Sequence, residues 1–109
     1  MSWKLIYLPE AAKDLRKLSG NQRLQVIKAL DKVIINPLPS SEGGYGKPLS
    51  NRFGSDLSGL LKIKLRKTGI RIVYKLIRTE EEMLVVVIGL RADEEVYKTA
   101  HHRVLRNSL

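Results

Sequence analysis

The chain has 109 residues, a length that suits one compact domain spanning residues 1–109. It carries 20 Lys and Arg residues against 11 Asp and Glu, a net charge of +9, and it has no cysteine. Disulfides and thiolate metal sites are therefore excluded, and a cytoplasmic location is expected. No apolar run reaches the roughly 18 residues of a membrane span. The excess positive charge predicts a polyanionic partner, with nucleic acid as the first candidate and an anionic membrane surface as the second.

The first residues predict a strand followed by a short helix. Residues 3–8 have the composition of a strand. Pro9 suits the first turn of a helix, where a missing backbone N–H costs nothing. Apolar residues then recur at helical spacing, which predicts a helix over residues 10–18.

A second helix is predicted directly after the first. Ser19 and Gln22 have the spacing of a capping box, and the helix should end near Ile35, because Asn36-Pro37 disfavours helical backbone. The link between the two helices is so short that they should form an αα-hairpin. The helical spacing of five apolar residues predicts the buried face: Leu24, Ile27, Leu30, Val33 and Ile34.

The second half of the chain predicts a sheet and a last helix. Residues 36–58 are rich in Pro, Gly and Ser, and form a long loop of the kind that is often functional or mobile. Three strands follow, and acidic residues open a last helix while basic residues close it, as the helix dipole favours. The predicted fold is α+β, β-α-α-β-β-β-α, with a small antiparallel sheet and helices on one side. The three strands are predicted over residues 59–67, 70–78 and 83–90, and the helix over residues 93–106.

Alternation along the first two of these strands separates apolar from basic side chains. A tight turn at Thr68-Gly69 would keep the apolar side chains on one face and set Arg66 opposite Arg71 and Lys62 opposite Lys75. Like charges directly opposed destabilise a hairpin. We therefore expect an anion to compensate them, although an ordinary solvated sheet face is the alternative.

The third strand adds a further cation. A five-residue turn over residues 79–83 would bring Arg91 opposite Arg71. A four-residue turn would put Arg91 on the wrong face, unless a bulge intervenes. Gly89 would leave space beside Arg91 for a ligand. The expected result is a concave basic face made of Lys62, Lys64, Arg66, Arg71, Lys75 and Arg91.

Several segments together resemble the RelE/ParE superfamily of toxin–antitoxin toxins, and within it the RelE branch. They are the hairpin from Leu61 to Tyr74, the strand end from Val87 to Arg91, and Glu95-Val96-Tyr97. The helical hairpin and the loop from Gly46 to Leu49 also fit. The resemblance spans nearly the whole chain, and the loop over 36–58 looks longer than is usual in the family.

The resemblance implies a ribosome-dependent endoribonuclease that cuts mRNA in the decoding site, without a metal or cofactor. By motif position the implied catalytic residues are Lys62, Lys64, Arg71, Arg91 and Tyr97. Further RNA contacts are expected from Arg66, Lys67, Lys75 and Lys47. A RelB-like antitoxin should neutralise the toxin, and operator DNA should be bound only through the toxin–antitoxin complex.

RNA supplies its own nucleophile, the 2′-hydroxyl, so cleavage needs a base, an acid and cations around the phosphate. A lysine crowded by other cations loses its proton more readily, so Lys62 is assigned as base or phosphate ligand and Lys64 as acid, although the two roles are interchangeable. Arg71 and Arg91 should clamp the phosphate. Tyr97 should stack on a base or orient the 2′-hydroxyl; without the resemblance it would be an ordinary helix residue.

Other interpretations stay open. His101 and His102 are the residue type that ribonucleases usually use as base, but a solvated or capping pair is favoured. A ParE-like toxin that poisons DNA gyrase is the main alternative function, and a non-catalytic nucleic-acid-binding module is a third. The carboxylates at 80–82 and 93–95 are interpreted as a turn and a helix start rather than a two-metal site.

Overall fold

A computed structural model describes residues 3–50, 56–90 and 92–109. Within these ranges the fold is α+β, as predicted, with helices packed against one sheet. No helix in the described part of the chain is long and apolar enough to cross a bilayer. The strands are β1 Lys4–Tyr7, β2 Lys47–Pro48, β3 Leu60–Lys64, β4 Arg71–Ile77 and β5 Glu82–Gly89, and the helices are α1 Pro9–Lys17, α2 Gly20–Val33 and α3 Asp93–Arg106.

The sheet has the strand order β1-β5-β4-β3-β2. The pairs β2–β3, β3–β4 and β4–β5 are antiparallel, as predicted, but β1 runs parallel to β5. The sheet is therefore mixed, because the N-terminal strand pairs with the last strand rather than with one that follows it through a tight turn. Flanked by strands on both sides, β5 is buried from Met83 to Ile88, which explains its nearly continuous apolar sequence.

The helical hairpin begins as predicted. Pro9 opens α1, and Ser19 and Gln22 form a reciprocal capping box with bonds of 3.2 and 3.1 Å. The predicted buried face of α2 is partly wrong, because Leu24 and Ile27 are 50% and 39% exposed. The stripe that meets the core is displaced around the helix and consists of Val26, Leu30 and Val33.

The turn between β3 and β4 is longer than the predicted Thr68-Gly69 pair. Residues 66–69 connect the strands, and Leu65 N donates to Ile70 O at 2.8 Å. A two-residue hairpin turn needs glycine-like backbone that a β-branched threonine resists. The left-handed position falls instead on Gly69, with φ of 74°, at the end of a four-residue loop.

This longer turn shifts the register by two residues. Lys64 pairs with Arg71 and Lys62 pairs with Val73, so the predicted pairings Arg66–Arg71 and Lys62–Lys75 are wrong. A shift of two residues preserves the faces, since side chains alternate with a period of two. The basic side chains of β3 therefore still share one face with Arg71.

A bulge interrupts the pairing of β4 with β5. Val73 pairs with Val87 and Tyr74 pairs with Val85, so Val86 is the extra residue. The connection is also shorter than predicted, because Ile77 pairs with Glu82 across it. Arg71 consequently lies opposite Gly89, which makes the predicted pairing of Arg71 with Arg91 wrong.

The predicted long loop is tied to the sheet over residues 36–50. The Tyr74 hydroxyl donates to Pro37 O at 2.7 Å inside the protein, and burial raises the pKa of Tyr74. A side chain on Gly46 would lie 2.2 Å from that hydroxyl, so glycine is required there. The loop then adds the two residues of β2 to the edge of the sheet.

The ion pair between Asp14 and Arg103 supplies hydrogen-bond partners to the backbone of β5 beyond the end of β1. The pairing of β1 with β5 runs to Val85. Beyond it, Asp14 of α1 accepts from the backbone N–H of Ile88 at 3.1 Å, and Arg103 of α3 donates to the carbonyl of Val86 at 2.9 Å. The two side chains also bind each other, at 2.6 and 3.1 Å. Both helices are thus anchored to the bulge.

We expect Arg103→Ala to lower the free energy of unfolding by about 3 kcal/mol, because it leaves a nearly buried carboxylate and a backbone carbonyl without their donor. Arg106→Ala is the matched control on the next turn of α3. Arg106 lies 3.6 Å from Glu10 at the surface and is 69% exposed, and such pairs contribute little. Urea unfolding measures both variants, and equal effects would contradict this account of the bulge.

Candidate active site

Cations face one another across the sheet, although in pairs that differ from those predicted. Lys62 of β3 lies directly opposite Lys47 of β2, and Lys64 lies directly opposite Arg71 of β4. Residues opposed in neighbouring strands share a face, with Cβ atoms about 5 Å apart. The four side chains thus form two adjacent rows on one face, and their mutual repulsion favours an anion between them.

Helix α3 covers part of this face. Val73 and Val87, which share the face with Lys62, are 0% and 3% exposed. A side chain on Gly89 would lie 2.9 Å from Cγ2 of Val96. The space that a side chain at position 89 would fill is therefore occupied by Val96 of the helix. The predicted ligand space beside Arg91 lies outside the described residues. The basic side chains therefore do not form an open concave surface. Lys47, Lys62, Lys64 and Arg71 lie beside α3, and we call this group the basic border.

Tyr97 contacts one of the lysines at this border. The ammonium of Lys62 lies 5.6 Å from the centroid of the Tyr97 ring, within the range of a cation–π interaction. The ring itself is 0% exposed. In this conformation Tyr97 is therefore placed to position Lys62, and it could not stack on an RNA base unless α3 moved.

Arg71 is held from two directions. Its Nε donates to Oδ1 of Asp93, the first residue of α3, and its Nη1 donates to the carbonyl of Gly69 at 2.8 Å. The side chain of Arg71 is 15% exposed and that of Asp93 is 36% exposed. The guanidinium is thus fixed at the border between the sheet and the start of α3.

Asp93 is a site residue that the sequence interpretation missed. Burial alone would raise the pKa of its carboxyl, but the hydrogen bond from Arg71 and the charges of Arg71, Lys62 and Lys64 outweigh burial and hold the pKa below its ordinary value of 3.8. The sequence shows one available signal. Asp93, Val96 and Ala100 have the spacing of a single helical face, and that face packs on the sheet.

The other predicted residues lie at different distances from this cluster. Arg66 and Lys67 are exposed on the β3–β4 turn next to Lys64. Lys75 shares the face but lies four residues along β4 from Arg71, about 13 Å away at strand spacing. Arg91 lies outside the described residues. The ring of His101 is 3.2 Å from the carbonyl of Asp56, and His102 is exposed.

We expect the Arg71–Asp93 pair to make stability depend on acidic pH. Because the folded pKa of Asp93 is lowered, its stabilising effect is complete above the unfolded value of 3.8 and is lost as pH falls through the folded value. Wild type should be more stable than Asp93→Asn at pH 6, and the difference should shrink as the pH is lowered below 3.8. Urea unfolding at a series of pH values measures this, and a difference independent of pH would contradict it.

Sequence comparison identifies relatives along nearly the whole chain. The family model of the ParE toxin of the type II toxin–antitoxin system parDE matches residues 5–97. The mRNA interferase toxin RelE of Escherichia coli strain K12 is 32% identical over 105 residues, which cover 96% of this chain and 100% of that protein. The mRNA interferase RelE of Shigella flexneri matches with the same identity and coverage.

Solved structures give the same relationship. A mutant of the E. coli toxin RelE in the free state matches with a TM-score of 0.73 at 30% identity, covering 95% of this chain and 99% of that one. The toxin in the intact E. coli RelBE toxin–antitoxin complex matches with a TM-score of 0.64 at 28% identity, covering 84% and 99% of the two chains. As its motifs indicated, this chain belongs to the ParE toxin family of type II toxin–antitoxin systems and is a RelE-like toxin.

Proposed function

We propose that this protein is a ribosome-dependent endoribonuclease that cuts mRNA in the ribosomal decoding site and thereby inhibits translation. The observation that carries the proposal is that Lys62, Lys64, Arg71 and Tyr97 lie close together where α3 packs on the sheet. The activity named for the E. coli relative, mRNA interferase, supports it. We place the protein in the cytoplasm, where its substrate is found.

The arrangement suits cleavage by the RNA's own 2′-hydroxyl. A base removes the proton from that oxygen, the oxygen attacks the adjacent phosphorus, and an acid protonates the departing 5′-oxygen. In the transition state negative charge grows on the phosphate oxygens, and cations already fixed around them stabilise it without reorganising. Arg71, whose guanidinium donates to the carbonyl of Gly69, presents such a cation. These steps use side chains and RNA alone, so we propose that no metal takes part.

The two lysines have distinguishable surroundings. Lys62 is half-buried against Tyr97 and lies opposite Lys47, whereas Lys64 is exposed and lies opposite Arg71. We assign Lys62 as base or phosphate ligand, because its position is fixed by the ring beside it. Lys64 is assigned as the acid, since the exposed amine that remains after it donates its proton can take up another from solvent before the next turnover. Arg91 is proposed as a second phosphate clamp on the resemblance of its motif.

The remaining cations are proposed to bind RNA outside the reacting phosphate. Arg66 and Lys67 extend from the turn beyond Lys64, and Lys47 extends the row of Lys62 toward the edge of the sheet. Contacts of this kind set the position of the backbone and carry no sequence information. Lys75, farther along β4, is the outermost of the proposed contacts.

A protein antitoxin is the proposed partner that controls the toxin. The E. coli relative is solved in complex with its antitoxin RelB. We propose that a RelB-like antitoxin binds this chain as well, with an acidic or amphipathic segment that covers the basic border or displaces α3. Operator DNA would then be bound through the toxin–antitoxin complex rather than by the toxin.

A ParE-like activity, inhibition of DNA gyrase without RNA cleavage, is the second candidate. The description of the matching family model favours it, and the fold is compatible with both. The two candidates differ in what the cations do. A gyrase inhibitor needs no phosphate clamp beside a lysine acid, so substituting Lys64 would leave its toxicity intact.

We expect Lys64→Ala to lower cleavage roughly 10²–10⁴-fold, the range for losing a general acid, and Arg71→Ala to lower it roughly 10²–10³-fold. In vitro translation of a defined mRNA, mapped by primer extension, measures both. Lys98→Ala is the matched control, because Lys98 is exposed on α3 and pairs with Glu94 at 3.2 Å. Cleavage should require ribosomes, and a phosphorothioate at the cut site should not make cleavage dependent on Cd²⁺.

Other outcomes would overturn parts of the proposal. An intact message with continuing translation would exclude the nuclease, and a gyrase supercoiling assay would then test the second candidate. Cleavage of a phosphorothioate at the cut site that is restored only by Cd²⁺ would exclude the metal-independent mechanism. An equal loss in Lys98→Ala would show that the effects come from net charge rather than from the site.

A further inference from the structure

The side chain of Asp93 binds a part of the Arg71 guanidinium that could also bind a phosphate. Carboxylate and phosphate oxygens are recognised by the same guanidinium fork, with similar hydrogen-bond geometry. In this structure the acceptor at Nε of Arg71 is the carboxylate of Asp93. A phosphate that uses this edge of the guanidinium must therefore first displace Asp93.

Asp93 also lies within the influence of the other proposed catalytic cations. The charges of Lys62 and Lys64, together with that of Arg71, act on its carboxyl group. These are three of the cations that the proposed reaction would direct at the scissile phosphate. The carboxylate thus stands among cations that would also attract a phosphate.

The favourable interaction of acidic residues with the helix dipole does not by itself explain why Asp93 contacts Arg71. The first turn of the helix carries Asp93, Glu94 and Glu95, and each favours the positive end of the helix dipole. Glu94 does so from the outside, where it pairs with Lys98 at 3.2 Å and is 55% exposed. Asp93 turns inward to the sheet instead, so the same type of charge in the same turn has two different surroundings.

We propose that Asp93 is an internal competitor for the substrate phosphate: it neutralises Arg71 in the RNA-free toxin and is displaced when RNA binds. The inference rests on the proposed function, since it takes Arg71 to be a phosphate clamp. It adds a residue that sets the affinity of the site rather than the rate of its chemistry. Removing the charge should therefore tighten binding and leave the bond-breaking step unchanged.

The test compares Asp93→Asn with Glu94→Gln, which removes one negative charge from the same turn at the outer surface. Single-turnover cleavage is measured on ribosomes programmed with a defined mRNA, over a range of toxin concentrations. We expect Asp93→Asn to lower the half-saturating concentration roughly two- to fivefold, the range for a partly exposed ion pair, with an unchanged maximal rate. Glu94→Gln should match wild type in both quantities.

A second measurement does not depend on RNA cleavage. The NMR signal of the Arg71 Nε–H group is followed while inorganic phosphate is added to each protein. In Asp93→Asn this signal should respond at lower phosphate concentration than in wild type or Glu94→Gln. Thermal unfolding of the three proteins verifies that each is folded at the temperature of the experiments.

The outcomes separate the inference from the proposed function. If no protein cleaves RNA but phosphate reaches Arg71 more readily in Asp93→Asn, the nuclease proposal fails and the competition stands. If wild type cleaves and Asp93→Asn behaves like Glu94→Gln, the competition is overturned and the nuclease stands. Weaker binding or a lower maximal rate in Asp93→Asn would also overturn it, because Asp93 would then support Arg71 rather than compete with RNA.

Discussion

The ion pair between Asp14 and Arg103 is the contact on which the arrangement of this protein depends. β1 is too short to pair with the full length of β5, and the bulge at Val86 turns backbone groups away from the regular ladder. A buried carbonyl or N–H left without a partner costs roughly 1–3 kcal/mol. Asp14 and Arg103 supply those partners from two different helices and bind each other as well.

That contact also sets the position of the proposed active site. Arg103 fixes the C-terminal half of α3, and the close approach of Val96 to Gly89 fixes the N-terminal half. A helix held at two points along its length has little freedom to slide or rotate. Asp93 and Tyr97, which touch Arg71 and Lys62, are therefore delivered to the sheet by contacts that involve no cation of the site.

Local patterns in the sequence predicted local structure well. Pro9, the Ser19–Gln22 capping box and the bounds of α3 follow from interactions among residues a few positions apart. The separation of basic and apolar faces on β3 also survived, because an error of two residues preserves the side-chain period. The residues of β3 that lie on the basic face could thus be predicted from the sequence even though the predicted register was wrong.

The features that the sequence did not predict depend on contacts between distant segments of the chain. The parallel pairing of β1 and the position of the bulge at Val86 follow from how helices and sheet fit together. The sequence left a bulge open as an alternative but did not locate it. The role of Asp93 was hidden for the same reason, since its spacing with Val96 and Ala100 marks a helical face but only the packing of α3 shows that this face meets Arg71. Pairwise contact across 22 residues, as between Arg71 and Asp93, cannot be inferred from spacing.

The short strand β2 has a consequence for solubility. An edge strand exposes unpaired backbone groups that can recruit a strand from another molecule, and proteins suppress this with very short edges, lysine and proline. β2 consists of Lys47 and Pro48 alone. The loop that brings Lys47 beside Lys62 therefore also makes this side of the sheet a poor template for aggregation, which shields the apolar strands behind it.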